Sequence, residues 1–426
     1  MTITNSLYIG ISGLQAHGEA ISVVGDNIAN ASTIGFKRNR AEFLDVLGGE
    51  IDSQRLGGGV RLGASQTQWE QGTITQTGNP LDLAIRGGGL FVVKGNHGGQ
   101  TGQYYTRDGQ FHLDNQGFVV NSQNLRLQGF TIDATGTRAL APSDLPLGAR
   151  ESPPAATQNA TMTLNLDANA TVPPAWDPTN PNTTSNYATS ETVYDSIGAP
   201  HHVEVFFRNQ GAGAWEYHAM VDGGDLTGGV KGTLTEIATG GLTFNTAGAL
   251  QTQVSTASTA SFVNATPNQI INFKFGDDIA SGGTGMAGTT QFAGASSVTG
   301  LDVDGRAAGK LTDIAISDDG KITGVFDNGQ KIALAQVALA DFANEQGLDR
   351  AGDGLTVETL SSGKPLVDIP GTGARGAVSS GALEASNVDL GTELVTLIAY
   401  QRAFQANSKT VTTADEMMSD VVNLKR

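Results

Sequence analysis

The sequence predicts a mainly β protein with terminal α-helices, built as nested domains: a helical coiled-coil end domain plus two β-rich domains. Three observations predict it. Glycine takes 57 of 426 positions, well above ordinary usage, which favours turns and short strands over a helical body. Residues 1–30 and 386–426 instead carry apolar side chains at helical spacing. Between them the β pattern breaks near Pro142 and the chain returns to its first β-domain after residue 298. That length leaves room for two or three separate cores.

Residues 386–426 read as one long amphipathic helix. Asp389 is placed to cap it, because its carboxylate can accept a hydrogen bond from a free first-turn N–H. Leu390, Leu394, Leu397, Phe404, Val411, Met418 and Val422 recur at helical spacing and share one face. A helix with one apolar stripe is marginal alone and needs a partner. The N-terminal segment offers one. Leu7, Ile11, Leu14, Ile21 and Ile28 follow a heptad, with Gly18 and Gly25 in the remaining seam positions. Matching stripes fit a coiled coil that closes the chain on itself or packs against other copies. They also fit two ordinary core helices of a globular domain. Asn27 and Asn30 mark the end of the first helix, since Asn tolerates the left-handed conformation.

Residues 33–71 read as an extended connector with short strands, matched by 363–383 on the return. A middle β-domain follows over 72–145 and 299–362. There Leu81, Leu83 and Ile85 alternate, and Arg86-Gly87-Gly88-Gly89 leads into Leu90-Phe91-Val92-Val93. This Gly-rich stretch lacks Gly-Lys-Ser/Thr and a following helix, so it is no phosphate loop. Asp108-Gly109 predicts a two-residue hairpin between Tyr105-Thr106-Arg107 and Gln110-Phe111-His112-Leu113. Further turns are expected at 114–117, 318–320 and 327–329. An inserted outer β-domain spans 146–298. It opens on a loop-rich stretch of Pro, Thr, Asn and Ala, then shows strands around Val193-Tyr194 and Val203 to Phe207. Trp215, Tyr217 and Ala219 alternate as in a half-buried strand. The N-x-Thr triplets at Asn159, Asn169 and Asn182 follow from composition.

The two ends also carry long motifs. Gly25-Asp26-Asn27-Ile28-Ala29-Asn30 precedes Thr33-Ile34-Gly35-Phe36-Lys37, and SNVDLGTELVTLIAYQRAFQANSKTVTTADEMM forms the far end. Together with NPLDLAIRGGGLFVV, YTRDGQFHLDNQGFVV and the run from Asp304 to Asn344, they resemble the bacterial flagellar rod and hook family. The signature positions are Gly25, Asn27, Ile28, Asn30, Gly35, Phe36, Lys37, Asn387, Asp389, Gln401, Arg402, Phe404 and Asn407. Asp26 stands where the family commonly has Asn. Residues 354–381 are looser than the usual block, and the insertion matches mainly at ETVYDSIGAPHHVEVFF.

The resemblance implies an axial protein that self-assembles into a helical polymer. A chain of this length with one inserted domain is most similar to the hook members, which form a short curved tube transmitting motor torque to the filament. The runner-up is a distal rod-type axial protein. The resemblance also implies other partners: rod, hook cap and hook–filament junction proteins, and the flagellar type III export apparatus. It places the protein in the basal body and hook, outside the cell. An exported acidic β-rich adhesin fits the insertion but leaves the terminal stripes unexplained.

Composition excludes much else. With no Cys, disulfides, thiolate catalysis and Cys-ligated metals are ruled out. A net charge of −17 argues against nucleic acid and anionic membranes, which need clustered Lys and Arg. No apolar run approaches the ~20 residues of a membrane span, and MTITNSLYIG lacks the regions of a cleavable signal peptide. No nucleophile elbow, zinc signature or P-loop is present. Adjacent strand residues point to opposite faces, so His201 and His202 make a poor metal pair. Asp302-Val303-Asp304-Gly305 starts like a calcium loop but lacks the third-ligand spacing and the terminal Glu. The sequence therefore predicts no enzyme, no cofactor and no metal.

Overall fold

A computed structural model describes residues 3–51, 54–133, 135–148, 150–256 and 258–423 of the chain. The chain forms two compact units. One takes residues 1–149, 313–325 and 331–426; the other takes 150–312 and 326–330.

The first unit holds both long helices, Ile3–Ala29 and Leu390–Asn423. Asp389 caps the second as expected: its Oδ1 accepts from Thr392 N at 2.6 Å. That bond is also the main reason its carboxyl sits below the usual range. The first helix ends differently from the expectation. Asn30 does not adopt a left-handed conformation; its amide Nδ2 instead donates back to Asp26 O at 2.9 Å and Asp26 Oδ1 at 3.0 Å.

Residues 39–67, expected as an extended connector with short strands, form a long antiparallel ribbon. Its strands are β1 (Asn39–Ile51) and β2 (Gln54–Thr67), with three register shifts along them. A two-stranded ribbon is marginal alone. This one lies along the N-terminal helix, where Val60 N donates to Ser12 Oγ at 3.2 Å.

Beyond the ribbon, outgoing and returning chain pair directly. Ile74–Gln76 pairs with Ala382–Glu384, and Leu83–Arg86 with Ala377–Ser380. Leu90–His97 pairs with Gln100–Thr106, Arg126–Thr131 and Leu339–Asp341. Leu90, Val92, Tyr105, Ala340 and Phe342 form one core there, with Tyr105 edge-on to Phe342 at 4.8 Å.

The Asp108-Gly109 hairpin does not form. Strand Gln100–Thr106 pairs with Leu90–His97 and Leu355–Val357, while Phe111–Leu113 pairs with Val119–Asn121. The two-residue turn that Asp-Gly favours needs positive φ at both positions, and neither Asp108 nor Gly109 has it. Gly109 is used instead for a close approach, its carbonyl accepting from Leu83 N at 2.9 Å. The next turn holds: Gly117 has φ +79, and strands Phe111–Leu113 and Val119–Asn121 pair across it.

The second unit packs two sheets. An antiparallel meander runs Tyr187–Tyr194, Pro200–Gly211, Ala214–Asp222, Leu234–Phe244, Leu250–Thr256. The other sheet orders Asn272–Lys274, Asn159–Asn165 and Ser297–Val303. Trp215, Tyr217 and Ala219 point into the core with Phe207, Phe273, Phe275, Met162 and Leu164. His201 is buried and His202 exposed, on opposite faces as alternation requires. Asp304 is committed to structure, accepting from Gln158 N at 2.8 Å and Asn159 Nδ2 at 2.7 Å.

Candidate assembly surface on the terminal helices

The two long helices pack antiparallel along a seam of small residues. On the N-terminal helix the buried positions are Gly10, Gly13, Ala16, Ala20, Val24 and Asn27. Their spacing of three and four keeps them on one face. A Cβ added at Gly10 would stand 2.8 Å from Val411 Cγ2, and one at Gly13 would stand 2.7 Å from Asn407 Nδ2. A larger residue at either position would make the facing side chain shift, so glycine gives the closest approach there. Midway, His17, Phe43 of β1 and Tyr400 form a three-ring cluster with centroids 5.2, 5.7 and 6.0 Å apart. At the far end Asn27 ties three elements together. Its Oδ1 accepts from Asn39 N at 2.8 Å, and its Nδ2 donates to Asn39 O at 2.7 Å and Glu393 Oε2 at 3.2 Å.

This seam is not the heptad read from the sequence. Leu7, Leu14, Ile21 and Ile28 are only half-buried, and Ile11 is exposed. A Cβ added at Gly18 would stand 4.0 Å from Phe404 Cε2, and one at Gly25 would have nothing within 4 Å. On the C-terminal helix Leu397 and Val411 are half-buried, while Leu390, Leu394, Phe404 and Met418 are exposed. The Val422 side chain lies outside the described residues. The physical reason is distance: two helices approach closest where side chains are smallest, so large residues are displaced to the margins. The margin on the C-terminal helix is wide. Leu390, Leu394, Val395, Ile398 and Phe404 are 39–68% exposed, and Tyr8 of the N-terminal helix is 69% exposed. Val395, Ile398 and Tyr8 were not singled out from the sequence. The small-residue spacing Gly10, Gly13, Ala16, Ala20 was the signal that locates the true seam.

The signature residues nearer the β-core serve a different purpose. Gly35 has φ +70, and a Cβ there would lie 2.5 Å from Arg107 C. Its N–H donates to Glu384 O at 2.8 Å. Lys37 Nζ contacts Glu384 Oε1 at 2.5 Å and donates to Glu70 O at 2.7 Å. Glu384, fully buried, also accepts from Gly72 N at 2.8 Å and Arg107 Nη1 at 3.1 Å. Burial holds the Lys37 amine below its ordinary range, against the opposing pull of Glu384. Asn387 accepts from Arg38 N at 2.8 Å and donates to Gln68 O at 2.8 Å. Phe36 lies under the Arg350 guanidinium, 5.3 Å from it. Asn407 sits against Gly13, whereas Gln401 and Arg402 are exposed. Glu384, Arg107 and Glu393 escaped the sequence reading, because nothing local distinguishes a buried carboxylate from a surface one.

The molecule thus presents a pair of helices pinned to each other and to a β-core, with an apolar face left open to solvent. Among the described residues no helix is long and apolar enough to cross a membrane.

Four family models match the chain. They are the flagella basal body rod protein at residues 7–37, the flagellar hook protein FlgE/F/G D1 domain at 84–173, the flagellar basal body protein FlaE D2 domain at 165–306, and the flagellar basal body rod FlgEFG protein C-terminal at 379–424. The flagellar hook protein FlgE of Escherichia coli K12 is 33% identical over 97% of this chain and 98% of its own. The flagellar hook protein FlgE of Borreliella burgdorferi is 31% identical over 99% of each chain. A solved structure of Helicobacter pylori flagellar hook protein FlgE2 is similar more loosely, at 13% identity and a TM-score of 0.47, covering 73% of this chain and all of that one.

Proposed function

This chain belongs to the flagellar hook protein family, and on that premise we propose that it polymerises through its terminal helices into the hook, a curved hollow tube. It is a structural subunit, and its polymer bends while transmitting motor torque to the filament. The observation that carries the mechanism is the open apolar face of the C-terminal helix, from Leu390 to Phe404. Fully burying a large apolar side chain is worth roughly 1.5–3 kcal/mol, so several of them on each copy supply a strong longitudinal contact. The other stripe residues read from the sequence, Leu7, Ile11, Leu14, Ile21, Ile28, Leu397, Val411 and Met418, lie half-buried or exposed on the two helices and would join that contact.

Residues 1–32 and 384–426 would line the inner tube, with the middle β-domain (72–145, 299–362) and the insertion (146–298) outside it. Outer contacts between such polar β-surfaces are weak enough to slide as the tube bends. The neighbours along the axis would be rod, hook cap and hook–filament junction proteins, reached by type III export.

Electron microscopy of the full-length protein beside a variant lacking 1–30 and 386–426 tests this. Curved hollow tubes from the full-length chain alone are expected. Tubes from both proteins, or from neither under polymerising conditions, would overturn the role of the helices.

A further inference from the structure

We infer that a cavity in the first unit is a binding site for a carboxylate carried on a small apolar body. The cavity holds about 380 Å³, at the small end of ligand pockets, which run roughly 300–1,000 Å³. Two N–H donors on its lining have no hydrogen-bond partner among the described residues: Arg107 Nε and Trp69 Nε1. Buried donors are nearly always paired, so each exception asks for an acceptor. Arg107 is only 5% exposed, and its other nitrogens are committed. Nη1 donates to Glu384 Oε2 at 3.1 Å and Nη2 to Gly87 O at 2.8 Å. Those bonds fix the guanidinium, so Nε cannot turn away to find a partner. Trp69 is held by packing on the core of Leu90, Tyr105 and Phe342.

The acceptor that suits these donors is an anion. Lys37 and Arg107, both buried, line the cavity, and one carboxylate, Glu384, bonds to both. Glu345 is the other carboxylate that acts on them, and burial raises its carboxyl above the ordinary range. Arg350 adds a third cation, lying over Phe36 with its Nη2 donating to Lys37 O at 3.1 Å. Hydrogen bonds from a cation to an anion are about twice as strong as neutral ones. The walls supplied by Phe36, Leu90, Leu348 and Leu355 are apolar and suit a hydrocarbon body. Asp26 and Asp353 stand exposed on the lining. They would repel a doubly charged group, so a carboxylate suits the cavity better than a phosphate dianion.

That chemistry has two sources. One is a free organic acid. The other is an Asp or Glu side chain beside apolar residues on a second copy of this chain, which carries 42 acidic residues against 25 basic ones.

Phenylacetate added to the full chain, carrying isotope-labelled tryptophan, tests the site by NMR. The chain has three tryptophans, and Trp69→Phe assigns the Trp69 indole N–H signal by its loss. That signal should move downfield and saturate, while those of Trp176 and Trp215, in the second unit, stay in place. Phenylacetamide, the uncharged isostere, should bind severalfold more weakly, and Arg350→Gln should weaken phenylacetate binding severalfold. A Trp69 signal that does not move, one that answers equally to phenylacetamide, or Arg350→Gln binding as tight as wild type would each overturn the site. None of these readings requires the chain to polymerise, so the site stands or falls apart from the role of the helices. Phenylacetate added during polymerisation separates the two sources. Slowed assembly that phenylacetamide does not reproduce assigns the site to a second copy; unaltered assembly assigns it to a free acid.

Discussion

Glu384 is the residue on which the base of the helices depends. It is a fully buried carboxylate paired with both Lys37 and Arg107, whose side chains are 4% exposed. Removing one member of a buried ion pair leaves an uncompensated charge and costs about 3–5 kcal/mol. Glu384→Gln is expected to lose that much in denaturant unfolding, while Glu70→Gln, at an exposed carboxylate, should change stability by under ~1 kcal/mol. In the second unit Glu191 makes the opposite case. Burial, and behind it the charge of Asp302, pushes its carboxyl up to about 7 from an ordinary 4.5, and its buried Oε2 has no hydrogen-bond partner among the described residues. Between pH 4.5 and about 7 the folded state holds a proton that the unfolded chain has released. Stability therefore falls as pH rises through that window, by on the order of 3 kcal/mol. Glu191→Gln should flatten that dependence, raising stability at pH 8 and leaving it little changed at pH 4, as read by denaturant melts at the two pH values.

The helices show how one element can carry two interfaces. The small-residue face is spent inside the chain, and the large apolar residues remain beside it. The two faces should respond separately to substitution. Gly13→Leu forces a side chain into the space held by Asn407 and is expected to destabilise the helix pair by about 1–3 kcal/mol. Phe404→Asp places a charge where the ring is already 39% exposed. Its effect on the free chain should stay within ~1 kcal/mol, while polymer recovered by sedimentation should be lost, because burying that charge against a neighbour is unfavourable. Normal hooks in cells making Phe404→Asp would remove Phe404 from the assembly contact.

The chain forms two compact units, and they should melt as two. A chain of this kind is not expected to unfold in one step. Denaturant unfolding followed by circular dichroism and calorimetry is expected to resolve two transitions. Glu384→Gln should shift only the one belonging to residues 1–149, 313–325 and 331–426, and Glu191→Gln only the other. A single transition displaced equally by both substitutions would mean that the units fold as one.

Much of this was readable in advance. Local rules sufficed for the terminal helices, the Asp389 cap, the turn at Gly117 and the inward side of Trp215, Tyr217 and Ala219, because each rests on neighbours a few residues apart; that strand is not half-buried as expected, since His218 and Met220 on its other face are buried too. Long end motifs carried the family. Three features needed the folded chain. The helix seam falls on glycine and alanine rather than on the heptad, since closest approach is decided by the partner's side chains. Asp108-Gly109 is drawn into a contact with Leu83 instead of reversing the chain, since distant pairing outweighs a local turn preference. Glu384 meets Lys37 and Arg107 from 347 and 277 positions away. Contacts made across such distances leave no periodic trace, and only the tertiary structure brings their members together.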